Sequence, residues 1–438
     1  MASAAIHSPS FADLTRVSAR IGVLSFGGPA GQIALMHREL VHERRWVSED
    51  DYLQALNLCH LLPGPEAQQL ATWIGWKHHG WAGGLIAGAL FVIPGALVML
   101  ALSILYAFAA DLDWFAALFL GIKAAVLAII AQALLRIAGR ALKTPFQRVL
   151  AVVAFAALFL FDAPFPLVVL AALAVGMWAG AKKPALLALS PAAPAGGGHA
   201  KPWSATFKAL IVWLTIWAAP MVAVLVFLGR DSVLWDIGVF FSQLAVVTFG
   251  GAYAVLAYMA QEAVSGFGWL SAGEMADGLG LAETTPGPLI MVTQFVGYLA
   301  AYRDPGPFDP LVAGVLGAAL TTWVTFAPCF LWIFSMAPWM DRLQRAPALK
   351  GGLAAVTGAV VGVVANLALW FSLHVLFARI EVFELGPARL QWPDLASFDW
   401  RAAAISVVAL VLIFGLKRGI VTTLGVTAAM GLALGLLA

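Results

Sequence analysis

The chain has 438 residues, 62% of them hydrophobic and 11% charged, with a formal charge of +2 at pH 7. That composition excludes an ordinary soluble domain; the formal charge by itself says nothing about nucleic acid, which is not expected as a partner, and where the charges lie matters more. Apolar runs of membrane-spanning length recur from end to end, so the chain reads as an all-α polytopic membrane protein.

In chain order, Met1–Ser10 is short and polar, without the basic-then-apolar pattern of a cleavable signal. Two interrupted apolar segments follow, near 20–36 and 53–76, broken at Phe26-Gly27-Gly28-Pro29 and Pro63-Gly64-Pro65. Segments 84–109, 115–135, 149–161 and 164–180 read as full crossings, the third of them short. Lys182–Lys201, rich in Pro, Ala and Gly, is a flexible linker, and 207–228 is a single apolar segment after it. A second interrupted pair, 237–259 and 276–301, breaks at Phe249-Gly250-Gly251 and Pro286-Gly287-Pro288. Segments 311–335, 352–377, 401–416 and 418–437 complete the chain. Cys59 and Cys329 lie in apolar stretches and read as small buried hydrophobes, neither a disulfide nor a metal pair.

The two interrupted pairs are copies. Aligned without gaps, residues 26–65 and 249–288 match at both break motifs and at Met36/Met259, Glu39/Glu262, Trp46/Trp269 and Ser48/Ser271. Further on, after a small shift of register, Pro94 meets Pro328, Ala131 meets Ala365 and Gln132 meets Asn366. Such self-similarity marks an internal structural repeat. It gives an N-terminal repeat 1–181, a linker 182–231 carrying one transmembrane helix, and a C-terminal repeat 232–438.

Lysine and arginine favour the cytoplasmic side. With the N-terminus inside, only Arg230, Arg303, Arg379, Arg389 and Arg401 fall outside, and Lys123 alone lies within the membrane. An odd number of crossings then separates equivalent elements, so the repeats are inverted, and helix 207–228 is what inverts them. The interrupted segments are expected to enter and return on one side. About ten residues either side of Pro63-Gly64-Pro65 make about 15 Å of helix, half of an apolar core of about 30 Å.

Non-helical backbone at membrane depth is tolerated where protein buries it or water reaches it. A broken helix also presents free N–H groups and a partial positive charge to an anion. The candidate substrate site is therefore Gly27, Gly28, Pro29, Pro63, Gly64, Pro65 and Gln68, with Gly250, Gly251, Thr284, Thr285, Pro286, Gly287 and Pro288 from the second copy. Lys123 joins them, because a mid-membrane ammonium needs a partner or a water-filled cavity. His60, Glu66 and Glu283 are candidates for a proton relay, although a carboxylate beside a helix start also serves simply as a cap. Gln69, Thr293, Gln294, Gln132 and Asn366 add neutral donors. His37 and His42 are five apart rather than four, so their loop reads as a solvated surface, with no metal expected. No protease, hydrolase, P-loop or dinucleotide signature is present, so an enzyme has no nucleus, and no cofactor is implied.

Ser25-Phe26-Gly27-Gly28-Pro29, Leu61-Leu62-Pro63-Gly64-Pro65-Glu66-Ala67, Thr248-Phe249-Gly250-Gly251 and Thr285-Pro286-Gly287-Pro288 with Gly297-Tyr298 carry a resemblance. The chain resembles the chromate ion transporter (CHR) family in its long-chain, two-domain ChrA-type form. The resemblance implies a bacterial inner-membrane carrier that exports chromate and confers chromate resistance, with sulfate as the similar natural anion. It departs from symmetry where Pro29 is matched by Ala252. The implied partners are the oxyanion, the lipid bilayer, a proton if the relay operates, and a second copy if the chain self-associates. The competing readings are an anion channel and, less favoured, a membrane-embedded enzyme.

Overall fold

The computed structural model describes residues 7–26, 28–110, 112–189, 203–249, 252–343, 346–386 and 388–435. Gly27, Gly250, Gly251 and most of the flexible linker lie outside the described residues. In chain order the helices are α1 (Phe11–Leu24), α2 (Gly28–His37), α3 (Glu49–Leu61), α4 (Glu66–Ala109), α5 (Asp113–Ala141), α6 (Pro145–Phe161) and α7 (Phe165–Lys182). After the linker come α8 (Trp203–Phe227), α9 (Val233–Val247), α10 (Ala252–Gln261), α11 (Ala272–Thr284), α12 (Val292–Arg303) and α13 (Pro310–Met336). A short α14 (Met340–Leu343) leads to α15 (Pro347–Leu376), α16 (Trp400–Leu410) and α17 (Ile420–Gly435). Among the described residues, six helices are long and apolar enough to cross a membrane, while α6, α9, α16 with its extension to Gly415, and α17 are shorter apolar helices. The protein is an all-α polytopic membrane protein. Among the described residues the one small exception is an antiparallel hairpin of β1 (Ile380–Leu385) and β2 (Ala388–Pro393), inserted between α15 and α16 without warning from the sequence pattern.

Both copies build the same succession of elements. A helix ends before the Gly-Gly motif, a second helix runs into a π turn (Arg38–Glu43 and Glu262–Gly266), and a third helix reaches Pro-Gly-Pro. Even the backbone exceptions coincide. Gly64 and Gly287 have φ of 111° and 91°, and Arg45 and Gly268 share a positive φ.

The repeat divides the chain along its sequence, whereas in space the chain forms two compact units that each draw on both halves. The first unit takes 1–103, 191–252 and 285–346; the second takes 104–190, 253–284 and 347–438.

In the first unit the interrupted segments of copy one each fold back as a pair of limbs. Ser10 and Ser48 cap α1 and α3 by accepting from the backbone N–H of Asp13 and Asp51. The N–H of His7, ahead of α1, donates to the carbonyl of Arg45, beyond α2 (3.0 Å). The α1–α2 pair therefore starts and finishes at one end. Lys77 Nζ donates to Asp51 Oδ2 (2.6 Å), closing α3 against the first part of α4 in the same way. His79 Nε2 meets the Pro9 carbonyl (3.0 Å) at that same end. As one straight rod, 44 residues of α4 would run about 66 Å. Non-helical angles at His79 and Gly80 divide it instead into a returning limb and a true span.

In the second unit, α7 packs on α15 and α17 packs on α5, an exchange of mates between the copies. Glycine permits these crossings. A Cβ on Gly176 or Gly351 would collide with the facing backbone, and so would one on Gly121 against Thr427. Close approach through small residues is the usual way that membrane helices gain contact where lipid gives no hydrophobic drive. Thr144 and Gln147 form a reciprocal capping box at the start of α6.

Candidate functional site

The Pro-Gly-Pro tips meet the Gly-Gly breaks of the opposite copy. The N–H of Gly64 donates to the carbonyl of Thr248 (2.9 Å), and the N–H of Gly287 donates to the carbonyl of Ser25 (2.8 Å). Ser25 and Thr248 are repeat mates, as are Gly64 and Gly287, so these two bonds are one contact made twice, reciprocally between the copies. The spanning helices repeat the pattern. Gly95, after the Pro94 of α4, lies against Pro286 and Gly287. Cys329, after the Pro328 of α13, lies against Gly64, where a Cβ would come within 2.9 Å of its Sγ. Proline inside each span frees the backbone of a hydrogen bond at the depth where the opposite tip arrives.

Around this crossing the first unit gathers Gly28, Pro29, His60, Pro63, Gly64, Pro65, Glu66, Gln68, Thr285, Pro286, Gly287 and Pro288. Gln32, which the sequence did not single out, donates to the Gly287 carbonyl (2.5 Å) and steadies the second tip. Gln69 donates to the Pro63 carbonyl (2.6 Å) and steadies the first. Gln68 donates to the Thr72 hydroxyl (3.2 Å). Gln294 reaches the Ala96 carbonyl (2.9 Å), and the Thr293 hydroxyl bonds the Ile290 carbonyl. Side-chain oxygens of Gln68, Gln69 and Thr325 are buried without a hydrogen-bond partner among the described residues. Buried polar atoms of this kind normally have a partner, and water or a bound ligand supplies one where protein does not.

His60 and Glu66 flank the first tip with Nδ1 and Oε1 3.7 Å apart. That is an ion-pair distance when the imidazole is protonated and too long for a hydrogen bond. Glu66 opens α4, where first-turn N–H groups lack intrahelical partners. Its repeat mate Leu289 leaves the second tip without a carboxylate.

Lys123, Glu283 and Thr284 belong to the second unit. Lys123 Nζ lies 3.3 Å from Asp277 Oδ2, and Tyr106 OH donates to the same oxygen (2.7 Å). Asp277 is 2% exposed, whereas Lys123 keeps 29% of its side chain accessible, so only the cation can be reached from outside the pair. Tyr253 OH donates to Glu283 Oε1 (2.7 Å). Thr284 is exposed at the end of α11, its hydroxyl bonding the Leu281 carbonyl. Sequence reasoning found Lys123 and missed Asp277 and Tyr106. The signal was present, because Asp277 is an acid within an apolar segment, the same anomaly that drew attention to the lysine. Asn366 lines a separate polar cleft of about 210 Å³ with Asp162, Gln261, Trp370, Arg389 and Gln391.

A polytopic protein in which duplicated broken helices meet tip to tip belongs to the class of membrane transport proteins. The sequence profile described as "Chromate transporter" matches residues 12–177 and 235–434, and the chain belongs to that family. It is 31% identical over 362 residues to the "Probable chromate transport protein" of Synechococcus elongatus, covering 82% of this chain and 84% of that one. It is 36% identical over 352 residues to the "Chromate transport protein" of Pseudomonas aeruginosa, covering 79% and 76%. The "Chromate transport protein" of Cupriavidus metallidurans is 28% identical over 348 residues. No solved structure matches the chain.

Proposed function

We propose that the protein is a secondary transporter that moves chromate, and sulfate-like divalent oxyanions, out of the cytoplasm by alternating access. The observation that carries this reading is the reciprocal pair of tip contacts, Gly64 to Thr248 and Gly287 to Ser25. Each contact brings the start of a helix to a broken backbone inside an apolar protein. Helix amino termini attract anions there.

Glu66 sits at one of these helix starts and competes with the anion for the same partial charge. The His60 imidazole, at ion-pair distance from that carboxylate when it carries a proton, offsets the carboxylate's charge and so links anion occupancy to protonation. The relatives' names support chromate as cargo, and the lysine and arginine distribution supports an inner-membrane orientation with the N-terminus cytoplasmic.

The test is chromate uptake into everted membrane vesicles. Saturable uptake with counter-transport is expected, competed by sulfate, and Pro63→Ala and Lys123→Ala are expected to reduce it at least tenfold (about 1.4 kcal/mol). Uptake that neither saturates nor exchanges identifies a channel instead. Unchanged uptake in both variants rejects the site. Imposing the pH gradient and the membrane potential separately reports whether the His60–Glu66 pair couples to protons.

A further inference from the structure

The returning limb of the first hairpin ends in an unusual turn. α2 stops at His37, and Arg38–Glu43 continues as a π turn. On an α-helix, positions five apart point about 140° away from each other. A π turn closes its hydrogen bond five residues on and brings such positions onto one face. The imidazoles of His37 and His42 accordingly meet edge to face, with centroids 4.7 Å apart.

Across from them, Glu49 in the first turn of α3 places its carboxylate 2.8 and 3.0 Å from His37 Nε2. One donor atom from each of His37, His42 and Glu49 lies within 4.8 Å of the other two. Two imidazoles and one carboxylate suit a borderline divalent ion such as Zn²⁺ or Co²⁺, with a fourth position left for water. Bonds of about 2.1 Å to a tetrahedral ion set donors about 3.4 Å apart, so a modest rotation of the exposed His42 and Glu49 side chains closes the set. His37 is already oriented, its ring 5.0 Å from that of Tyr52, whose hydroxyl donates to the Ile33 carbonyl (2.7 Å). Of the neighbouring cations, Arg38 pairs with Glu43, Arg20 and Arg44 with Glu39, and Lys77 with Asp51. Glu49 and Asp50 in the first turn of α3 offset the helix's own partial positive charge there, while Asp51 is paired with Lys77.

We propose that His37, His42 and Glu49 form a divalent transition-metal site that pins the returning limb of the first hairpin to the entering limb of the second. The repeat mates are Ala260, Ser265 and Ala272, which offer no such ligands, so the second copy has no counterpart of this site.

The test uses the full-length chain, purified without a polyhistidine tag in detergent micelles and titrated with Co²⁺ and then Zn²⁺. One equivalent of Co²⁺ with ligand-field absorption, displaced by one equivalent of Zn²⁺, is expected. His42→Ala and Glu49→Gln are each expected to weaken Zn²⁺ at least tenfold, while His7→Ala leaves it unchanged. Zn²⁺ is also expected to raise the melting temperature of the wild type and not of the His42→Ala protein, a comparison that also checks that the variant is folded. Absence of stoichiometric binding, weak binding of several ions per chain, or wild-type affinity in a His37→Ala/His42→Ala double variant overturns the site.

Discussion

Lys123 and Asp277 are each unfavourable alone in apolar surroundings and stable together, with Tyr106 filling out the coordination of the shared oxygen. Lys123→Met strands the carboxylate and is expected to destabilise the protein by about 3 kcal/mol or more. Adding Asp277→Asn is expected to recover a large part of that loss, measured by thermal melts in detergent; additive losses exclude the coupling. Lys123 was legible in the sequence because a lone cation in an apolar run needs no structure to be noticed. Asp277 escaped because no spacing rule joins it to a lysine in the other half of the chain. The pairing exists only once α11 is folded into the same unit as α5.

Among elements, the broken helices were plain from Pro-Gly-Pro, since proline removes a donor and glycine admits the positive φ observed at Gly64 and Gly287. The π turns and the β1–β2 hairpin were not. A π turn differs from an α turn by one accommodated residue, which leaves no compositional trace. Gly64→Ala and Gly287→Ala each meet a left-handed backbone with little room for a methyl group. Both are expected to cost about 1–3 kcal/mol, and to cost nearly the same, in parallel thermal melts. A large inequality between them argues against equivalence of the two tip contacts.

The Asp51–Lys77 clasp gives the second hairpin a pH dependence. Its hydrogen bond to Lys77, foremost, holds the Asp51 carboxyl below its ordinary range. The folded state is thus the stronger acid. The clasp is fully present above about pH 3.9 and is lost as pH falls through the lower folded value. Asp51→Asn is expected to lower neutral-pH stability slightly, by less than about 1 kcal/mol because the pair is partly exposed and screened, and to take that same small increment out of the acid limb of a stability–pH curve.

For the whole molecule, the duplication was legible and the spatial partition was not. The reason lies in which partners each copy retains. Asp51 and Lys77 tie α3 to α4 in the first unit, but their mates Glu274 and Ala300 offer no such pair. In the second copy α11 carries Asp277 and joins α5 instead. One ancestral pattern thus serves two different companies of helices, and a reader of the sequence sees only the pattern.

The crossed backbone bonds have a consequence for inheritance and assembly. Each Pro-Gly-Pro tip finds its acceptor in the other copy, so an isolated copy leaves one donor and one acceptor vacant in apolar surroundings. A gene divided within the linker should therefore yield two polypeptides that are degraded singly and accumulate only when co-expressed. Abundance of either fragment by itself, compared with the co-expressed pair on a membrane immunoblot, decides the matter. Fused in one chain, the copies form an obligate heterodimer whose subunits can never be lost from each other.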